Sequence, residues 1–241
     1  MSLDTRPAVI LACAACGATS AFAGGDAEYA VRWDVASGGP RTAAEALSKL
    51  TSAAAEQNLF KVRYATVVSV PETPAGAAVI LRERERTSKP RHELTYKLRS
   101  DTPLPGKPNF AHGHCPVGAD AEAPKDEIDV TLTSAKTTKR VRSRSCTVKS
   151  TTAPPEVPAA LQARFAPCTN RFLRLEADGL KVEEWHLPGD QVVIEVSRNG
   201  ADTALELTSF QRDVVGPLTR LYGIHPLDSS KKELGSACAQ S

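Results

Sequence analysis

The feature that most constrains the fold is the alternation of charged side chains along segments with strand composition. In the run RERER, Arg82, Arg84 and Arg86 share one face of a strand, and two glutamates share the other. Residues 139–144 repeat the pattern with three arginines of their own. Two structures accommodate such strands. One is an antiparallel sheet whose charged face lies in water, with opposite charges paired across strands. The other is a closed barrel with a polar lumen.

The strand after this run separates polar from apolar side chains. Thr95, Lys97 and Arg99 share one face. The opposite face consists of Leu94, Tyr96 and Leu98. If the chain closes into a barrel, the apolar set must pack outward beneath flanking helices, and the polar set must face the lumen. Such a cluster of inward cations needs an anionic ligand or opposing carboxylates such as Glu195.

Periodicity and turn residues predict one α+β domain with about nine strands and three helices. The predicted strands are 29–35, 60–70, 77–87, 92–99, 127–133, 139–149, 171–177, 180–187 and 191–198, and residues 204–208 form a further short one. The predicted helices are 42–57, 154–165 and 210–224, the last with a kink at Gly216-Pro217. We expect the first and last helices to cover the apolar face of strand 92–99. Residues 24–225 are assigned to this mostly antiparallel domain, and residues 226–241 to a polar, loose C-terminal tail.

The first 23 residues have the composition of a signal peptide. Arg6 precedes an apolar stretch from Pro7 to Cys16, and Ala21-Phe22-Ala23 provides the small residues that signal peptidase recognises. We therefore expect export to a bacterial periplasm or to the outside of the cell. Lipidation of Cys13 or Cys16 is the alternative, but neither cysteine directly follows the leucine-containing segment of a lipoprotein signal.

Four cysteines follow the predicted cleavage site, an even number that suits an oxidising compartment. They allow three pairings. We predict Cys115–Cys146, which brackets an acidic strand, and Cys168–Cys238, which anchors the tail. In the run His112-Gly113-His114-Cys115, the histidines and the cysteine are spaced closely enough to bind one metal ion. Because Cys115 is needed for the disulfide, we favour a solvated loop.

Composition excludes several classes of protein. The 30 Lys and Arg residues against 28 Asp and Glu give a formal charge of +2, which excludes nucleic-acid binding through bulk charge. No apolar run reaches the ~18 residues of a membrane span. Residues 82–99 carry seven basic and three acidic side chains, whereas residues 171–206 carry four basic and eight acidic ones. A basic wall facing an acidic wall would place phosphate on one side and a divalent cation on the other.

Two hairpins carry a resemblance to a known family. The segment from Ala75 to Arg84, followed by Glu93 to Arg99, resembles the "LRxR … LTxK" hairpin of the CYTH superfamily, the triphosphate tunnel metalloenzymes. The turn from Trp185 to Asp190, which leads to Glu195, is similar to that family's later hairpin with a glutamate-bearing strand. The resemblance extends from residue 28 to about residue 225. It implies an eight-stranded barrel in which inward Arg and Lys hold a triphosphate and carboxylates hold magnesium or manganese.

Carried over by position, the resemblance implies two sets of site residues. The phosphate ligands would be Arg82, Arg84 and Lys97, with Arg99 and Arg142 as further candidates. The metal carboxylates would be Glu195, with Glu183 or Glu206 as a second and Glu28 from the first strand. That strand reads Glu28-Tyr29-Ala30-Val31-Arg32, so Ala30 stands where the family has a glutamate and Arg32 where it has a lysine.

Because Ala30 replaces one glutamate of the carboxylate pair on the first strand, the sequence argues against a working two-metal centre. We therefore predict an exported barrel that binds a polyphosphate-type anion in a basic cavity without efficient catalysis. A metal-dependent triphosphatase that uses Mg²⁺ or Mn²⁺ is the first alternative. A structural or protein-interaction module, whose interior charges pair with one another, is the second.

Overall fold

The computed structural model describes residues 26–69, 76–104, 120–121, 124–134, 136–159 and 161–236. Its strands are β1 (Asp26–Asp34), β2 (Glu56–Ser69), β3 (Ala78–Arg86), β4 (Arg91–Ser100), β5 (Asp120–Ala121), β6 (Lys125–Leu132), β7 (Thr138–Ser150), β8 (Gln162–Phe165), β9 (Asn170–Ala177), β10 (Leu180–His186) and β11 (Val192–Ala201). Its α-helices are α1 (Ala43–Ser48), α2 (Ala204–Phe210), α3 (Gly216–Tyr222) and α4 (Lys231–Ser236).

Nine of the strands close into a barrel. Their order is β3-β4-β7-β6-β1-β11-β10-β9-β2, and the pairing of β2 with β3 completes the circle. Only the β1–β6 pair within this circle is parallel. The short strands β8 and β5 add to β2 and β7 respectively, outside the circle. The predicted α+β barrel, mostly antiparallel, is therefore confirmed.

One apolar cluster lies between the barrel wall and the helices. Val31 and Trp33 of β1 and Ile194 of β11 are fully buried there against Ala46 of α1 and Phe210 of α2. Strand alternation then turns the intervening residues of β1 and β11 into the barrel. The helices thus decide which face of these strands becomes the lumen.

A second apolar cluster covers the opposite side of the barrel. Leu94, Tyr96 and Leu98 of β4 point outward, as predicted, and pack with the segment that leads into β8, including Leu161. The prediction that the first and last helices cover this face was wrong, because α1, α2 and α3 pack on the first cluster. The second cluster is instead covered by residues that we expected to form a helix.

Three predicted elements differ from the structure. The helix at 42–57 ends at Ser48, and residues from Glu56 onward extend along β9. The helix at 154–165 is wrong, since the prolines of this segment cannot donate backbone hydrogen bonds, and Gln162–Phe165 pairs with β2. The strand at 204–208 is also wrong: the Thr203 hydroxyl caps α2 by accepting from the Glu206 amide.

The helical region 210–224 is irregular near the predicted kink. A π-helical turn, Gln211–Val215, joins α2 to α3, and Pro217 follows it. Proline supplies no amide for the carbonyl four residues earlier, so the regular ladder cannot continue through this point.

The C-terminal tail is the largest departure from the prediction. Instead of lying loose, residues 226–236 cross the end of the barrel and enter it. The Leu227 amide donates to the Arg32 carbonyl at 2.8 Å, and Asn170 Nδ2 donates to the Gly235 carbonyl at 2.6 Å. Leu234 packs against the interior aromatic stack of Phe60, Phe172 and Trp185. The tail is therefore part of the barrel interior.

Several predictions fall outside the described residues. These are the signal peptide at 1–23, the lipidation candidates Cys13 and Cys16, the run from His112 to Cys115, and Cys238. The disulfide pairing accordingly stays a prediction. Within the described ranges, no helix combines the length and apolar character needed to cross a membrane.

Candidate functional site

A charged cavity of about 110 Å³ lies in the lumen of the barrel. Its basic lining residues are Arg32, Arg82, Lys97, Arg99, Lys231 and Lys232, and its acidic ones are Glu28, Asp129 and Glu195. Six cations against three anions leave the lining positive. A second cavity of about 470 Å³ shares Arg32, Arg99 and Lys232 with the first, so the two are neighbours.

Arg82 is a lining cation without an ion pair among the described residues. Its Nη2 lies 3.4 Å from the Thr95 hydroxyl, and no carboxylate of the described residues forms an ion pair with it. Its Nε is buried without a hydrogen-bond partner, as is the Nε of Arg99. Buried donors are normally bonded, so these two atoms mark positions where an acceptor is missing.

Lys97 and Arg99 share carboxylates that the sequence prediction did not include. Lys97 Nζ lies 2.8 Å from Glu127 and 3.2 Å from Asp129, and Arg99 Nη2 lies 2.8 Å from Asp129. Burial alone would raise the pKa of Glu127, but the charge and hydrogen bond of Lys97 outweigh it and lower that pKa to about 2. Both cations face the cavity while already partly neutralised.

Arg84 points inward but is not a lining residue of this cavity. Its guanidinium bonds Glu93, and its Cζ lies 5.0 Å from the ring centroid of Phe60. Burial, reinforced by the neighbouring charge of Arg82, lowers the pKa of Arg84 to about 10. The structure therefore gives Arg84 a carboxylate partner of its own.

Two buried carboxylates lie side by side across from the basic strands. Glu183 and Glu195 are directly opposed in the β10–β11 ladder, and their side chains are 4% and 1% exposed. Lys231 of α4 bridges them, with its Nζ 3.0 Å from Glu183 Oε2 and 2.7 Å from Glu195 Oε1. Arg32 Nε donates to Glu195 Oε2 at 2.8 Å, and Arg174 Nε to Glu183 Oε1 at 2.9 Å.

These contacts fix the ionisation of the pair. Burial would raise the pKa of Glu183, but Lys231 and Arg174 hold it well below its usual range. The pKa of Glu195 is lowered in the same way: burial opposes the shift, and Lys231 and Arg32 outweigh it. For Lys231, burial would lower the pKa, but the two carboxylates raise it. All three groups are charged at neutral pH.

The residues present do not fit a divalent cation. All four oxygens of Glu183 and Glu195 accept hydrogen bonds from cationic or indole donors. Ala30 offers no third carboxylate, and Glu28 accepts from the Ser197 hydroxyl at 3.2 Å. Within the described part of the chain, no three His, Cys, Asp or Glu side chains form a group that could hold a metal ion.

Two predicted site residues lie outside the lumen. Glu206 is on α2, where its carboxylate lies 3.6 Å from Arg198, whose guanidinium packs over Phe210 on the outer side. Arg142 is exposed and shares its strand face with Cys146, a member of the outer apolar cluster. Neither residue therefore lines the cavity in the lumen.

Sequence reasoning missed several residues of this site. Glu127 and Asp129 alternate along β6 with the same parity as Thr131, and this two-residue spacing was a usable signal. Arg32 was noticed only as a departure from the family pattern. Lys231 and Lys232 gave no signal, because their role depends on where the tail docks.

The closed ring of strands around a lumen with charged lining residues has the barrel architecture that the sequence resemblance implied. No protein-family model matches the sequence, and neither does any curated protein.

Similar solved structures include three whose sequences differ strongly from this chain. A protein from Pyrococcus horikoshii is 11% identical with a TM-score of 0.44, covering 86% of this chain and 97% of its own. A candidate adenylate cyclase from Vibrio parahaemolyticus is 12% identical with a TM-score of 0.45, covering 89% and 99%. A candidate adenylyl cyclase from Hippeastrum, described as having a dominant triphosphatase activity, is 11% identical with a TM-score of 0.46, covering 86% and 92%.

Proposed function

We propose that this protein is an exported barrel that binds a phosphate-bearing anion in its lumen without efficient catalysis. The observation that carries the proposal is Arg82. Its guanidinium faces the cavity, forms no ion pair with a described carboxylate, and has a buried Nε without an acceptor. Guanidinium groups bind phosphate oxygens through paired hydrogen bonds. An anion at this position would satisfy the arginine.

The surrounding charges favour the same ligand class. Arg99 offers a second unbonded Nε beside the cavity. Lys232 donates only to the Val79 carbonyl, at 3.3 Å, among the described residues, so its ammonium can turn to an anion at little cost. A phosphate group in the inner cavity would have the larger neighbouring cavity available for the rest of a ligand.

Binding without turnover is supported by the state of the carboxylates. Glu183 and Glu195, which the resemblance implied as metal ligands, are already neutralised by Lys231, Arg32 and Arg174. Metal-assisted attack on a phosphoanhydride requires carboxylates that are free to hold the ion. The lumen therefore supports recognition of an anion better than its hydrolysis.

Thermal unfolding with and without anions tests the proposal. Pyrophosphate at about 100 times its dissociation constant is expected to add about 2.7 kcal/mol to the unfolding free energy. That corresponds to roughly 5–10 °C in melting temperature for a chain of this size. Sodium chloride at matched ionic strength should leave the melting temperature nearly unchanged. Equal shifts from both salts would mean simple screening and would overturn the proposal.

Turnover and export need separate assays. Release of phosphate from tripolyphosphate with Mg²⁺ or Mn²⁺ is expected to stay at background, and a clear rate would favour the triphosphatase alternative instead. N-terminal sequencing of the full chain expressed in a secreting bacterium is expected to begin at Gly24. A chain that keeps Met1 and stays in the cytoplasmic fraction would count against export.

A further inference from the structure

The C-terminal tail brings a cation to the position where a metal ion would bridge two carboxylates. Lys231 Nζ lies 2.7 Å from Glu195 and 3.0 Å from Glu183, which are the two most buried acids of the lumen. The ammonium therefore contacts both carboxylates at once. Trp185 completes the arrangement by donating its indole N–H to Glu183 at 2.9 Å.

We propose that Lys231 is a built-in cation that replaces a divalent metal at this carboxylate pair, so that the lumen works without metal. Two carboxylates are matched by three cations, Lys231, Arg32 and Arg174. A divalent ion added to this group would meet three positive charges within hydrogen-bond reach of its own ligands. Binding would first require Lys231 to leave.

The tail holds Lys231 in place through contacts on both sides of it. Arg32 Nη1 donates to the Ser229 carbonyl at 2.7 Å, so the arginine that binds Glu195 also binds the tail. On the other side, the Gly235 carbonyl accepts from buried Asn170 at 2.6 Å. Because these anchors flank Lys231, they hold its backbone at a position from which the ammonium reaches both carboxylates.

Replacing the ammonium with an uncharged side chain of similar length tests the inference. Lys231→Met leaves the two carboxylates short of one cation in a buried site, and a melting temperature lower by roughly 10 °C is expected. Manganese should then bind the vacated position and recover much of this loss, with saturable binding by calorimetry. Wild-type protein should show neither effect. Lys139→Met is the matched control, since Lys139 also contacts the tail, at Asp228, but through an exposed pair.

A charge-balanced variant keeps the test decisive if Lys231→Met does not fold. Lys231→Met/Glu195→Gln removes one charge of each sign, so it should melt above the single variant and gain nothing from manganese. Two results would overturn the inference. One is saturable manganese binding to the wild type that Glu195→Gln abolishes. The other is a double variant no more stable than the single one. No arm contains phosphate, so the outcome is independent of the proposed anion binding.

Discussion

Gly235 packs closely against the barrel wall, and adding one methyl group there tests whether the tail is docked. A Cβ at this position would lie 2.9 Å from Tyr64 Cε2 and 3.1 Å from Asn170 Nδ2. Tyr64 and Asn170 are 5% and 1% exposed, so neither can move aside without disturbing its neighbours. Gly235→Ala should therefore push α4 out of the lumen.

The expected magnitude follows from two losses. Overpacking a well-packed site costs about 1–3 kcal/mol, and losing the Asn170–Gly235 hydrogen bond adds about 1 kcal/mol. A total of about 2–4 kcal/mol corresponds to a melting temperature lower by roughly 4–16 °C. The tail would also become accessible to trypsin at Lys231 and Lys232. Calorimetry and limited trypsin digestion measure the two effects.

Two further variants make this prediction specific. Ser236→Ala, at the exposed neighbouring residue, should change neither the melting temperature nor the digestion pattern. Tyr64→Leu removes the ring that the new methyl group meets, so the penalty of Gly235→Ala should shrink in that background. A Gly235→Ala protein with wild-type stability and wild-type resistance to trypsin would refute the docked tail.

Two other predictions concern acid stability and the cysteines. The pKa of Glu127 is about 2 in the folded chain against an ordinary 4.5. Its contribution to the free energy of unfolding is therefore complete above about pH 4.5 and is lost as the pH falls toward 2. Urea unfolding at pH 5 and pH 2.5 should show this loss of stability, and Glu127→Gln should reduce the loss. A stability that rises on acidification would contradict the assignment. Non-reducing peptide mapping should recover Cys115–Cys146 and Cys168–Cys238 from exported protein, whereas four free thiols would contradict both the pairing and the export prediction.

The sequence predicted the inward face of β3 and β4 because one side of β4 is uniformly apolar. With Leu94, Tyr96 and Leu98 fixed outward by burial, Lys97 and Arg99 had to face the lumen. The same alternation of side chains between the two faces also holds along β7, where the sequence prediction did not apply it. Arg142 shares its parity with Cys146 and Val148, and these two belong to the outer cluster, so extending the alternation would have placed Arg142 outside.

The rest of the site depends on tertiary contacts that local patterns do not contain. The tail reads as polar and loose because its lysines have no partner nearby in sequence. Lys231 finds its partners 36 and 48 residues away, on β11 and β10. Glu195 was predicted as a metal carboxylate with Glu183 or Glu206 as its partner, but the cations that neutralise Glu195 and Glu183 were not predicted. A buried carboxylate pair indicates that some cation is needed without indicating which one.

Titration of the protein with tripolyphosphate by isothermal calorimetry, in buffer containing a metal chelator, tests the central claim most directly. We predict saturable binding to one site. Arg82→Ala should weaken it about 5- to 150-fold, the equivalent of about 1–3 kcal/mol for a lost charge-assisted hydrogen bond. Arg142→Ala, at an exposed arginine on the outer face, should bind like the wild type. Absence of binding, or equal weakening by both substitutions, would contradict an anion site in the lumen.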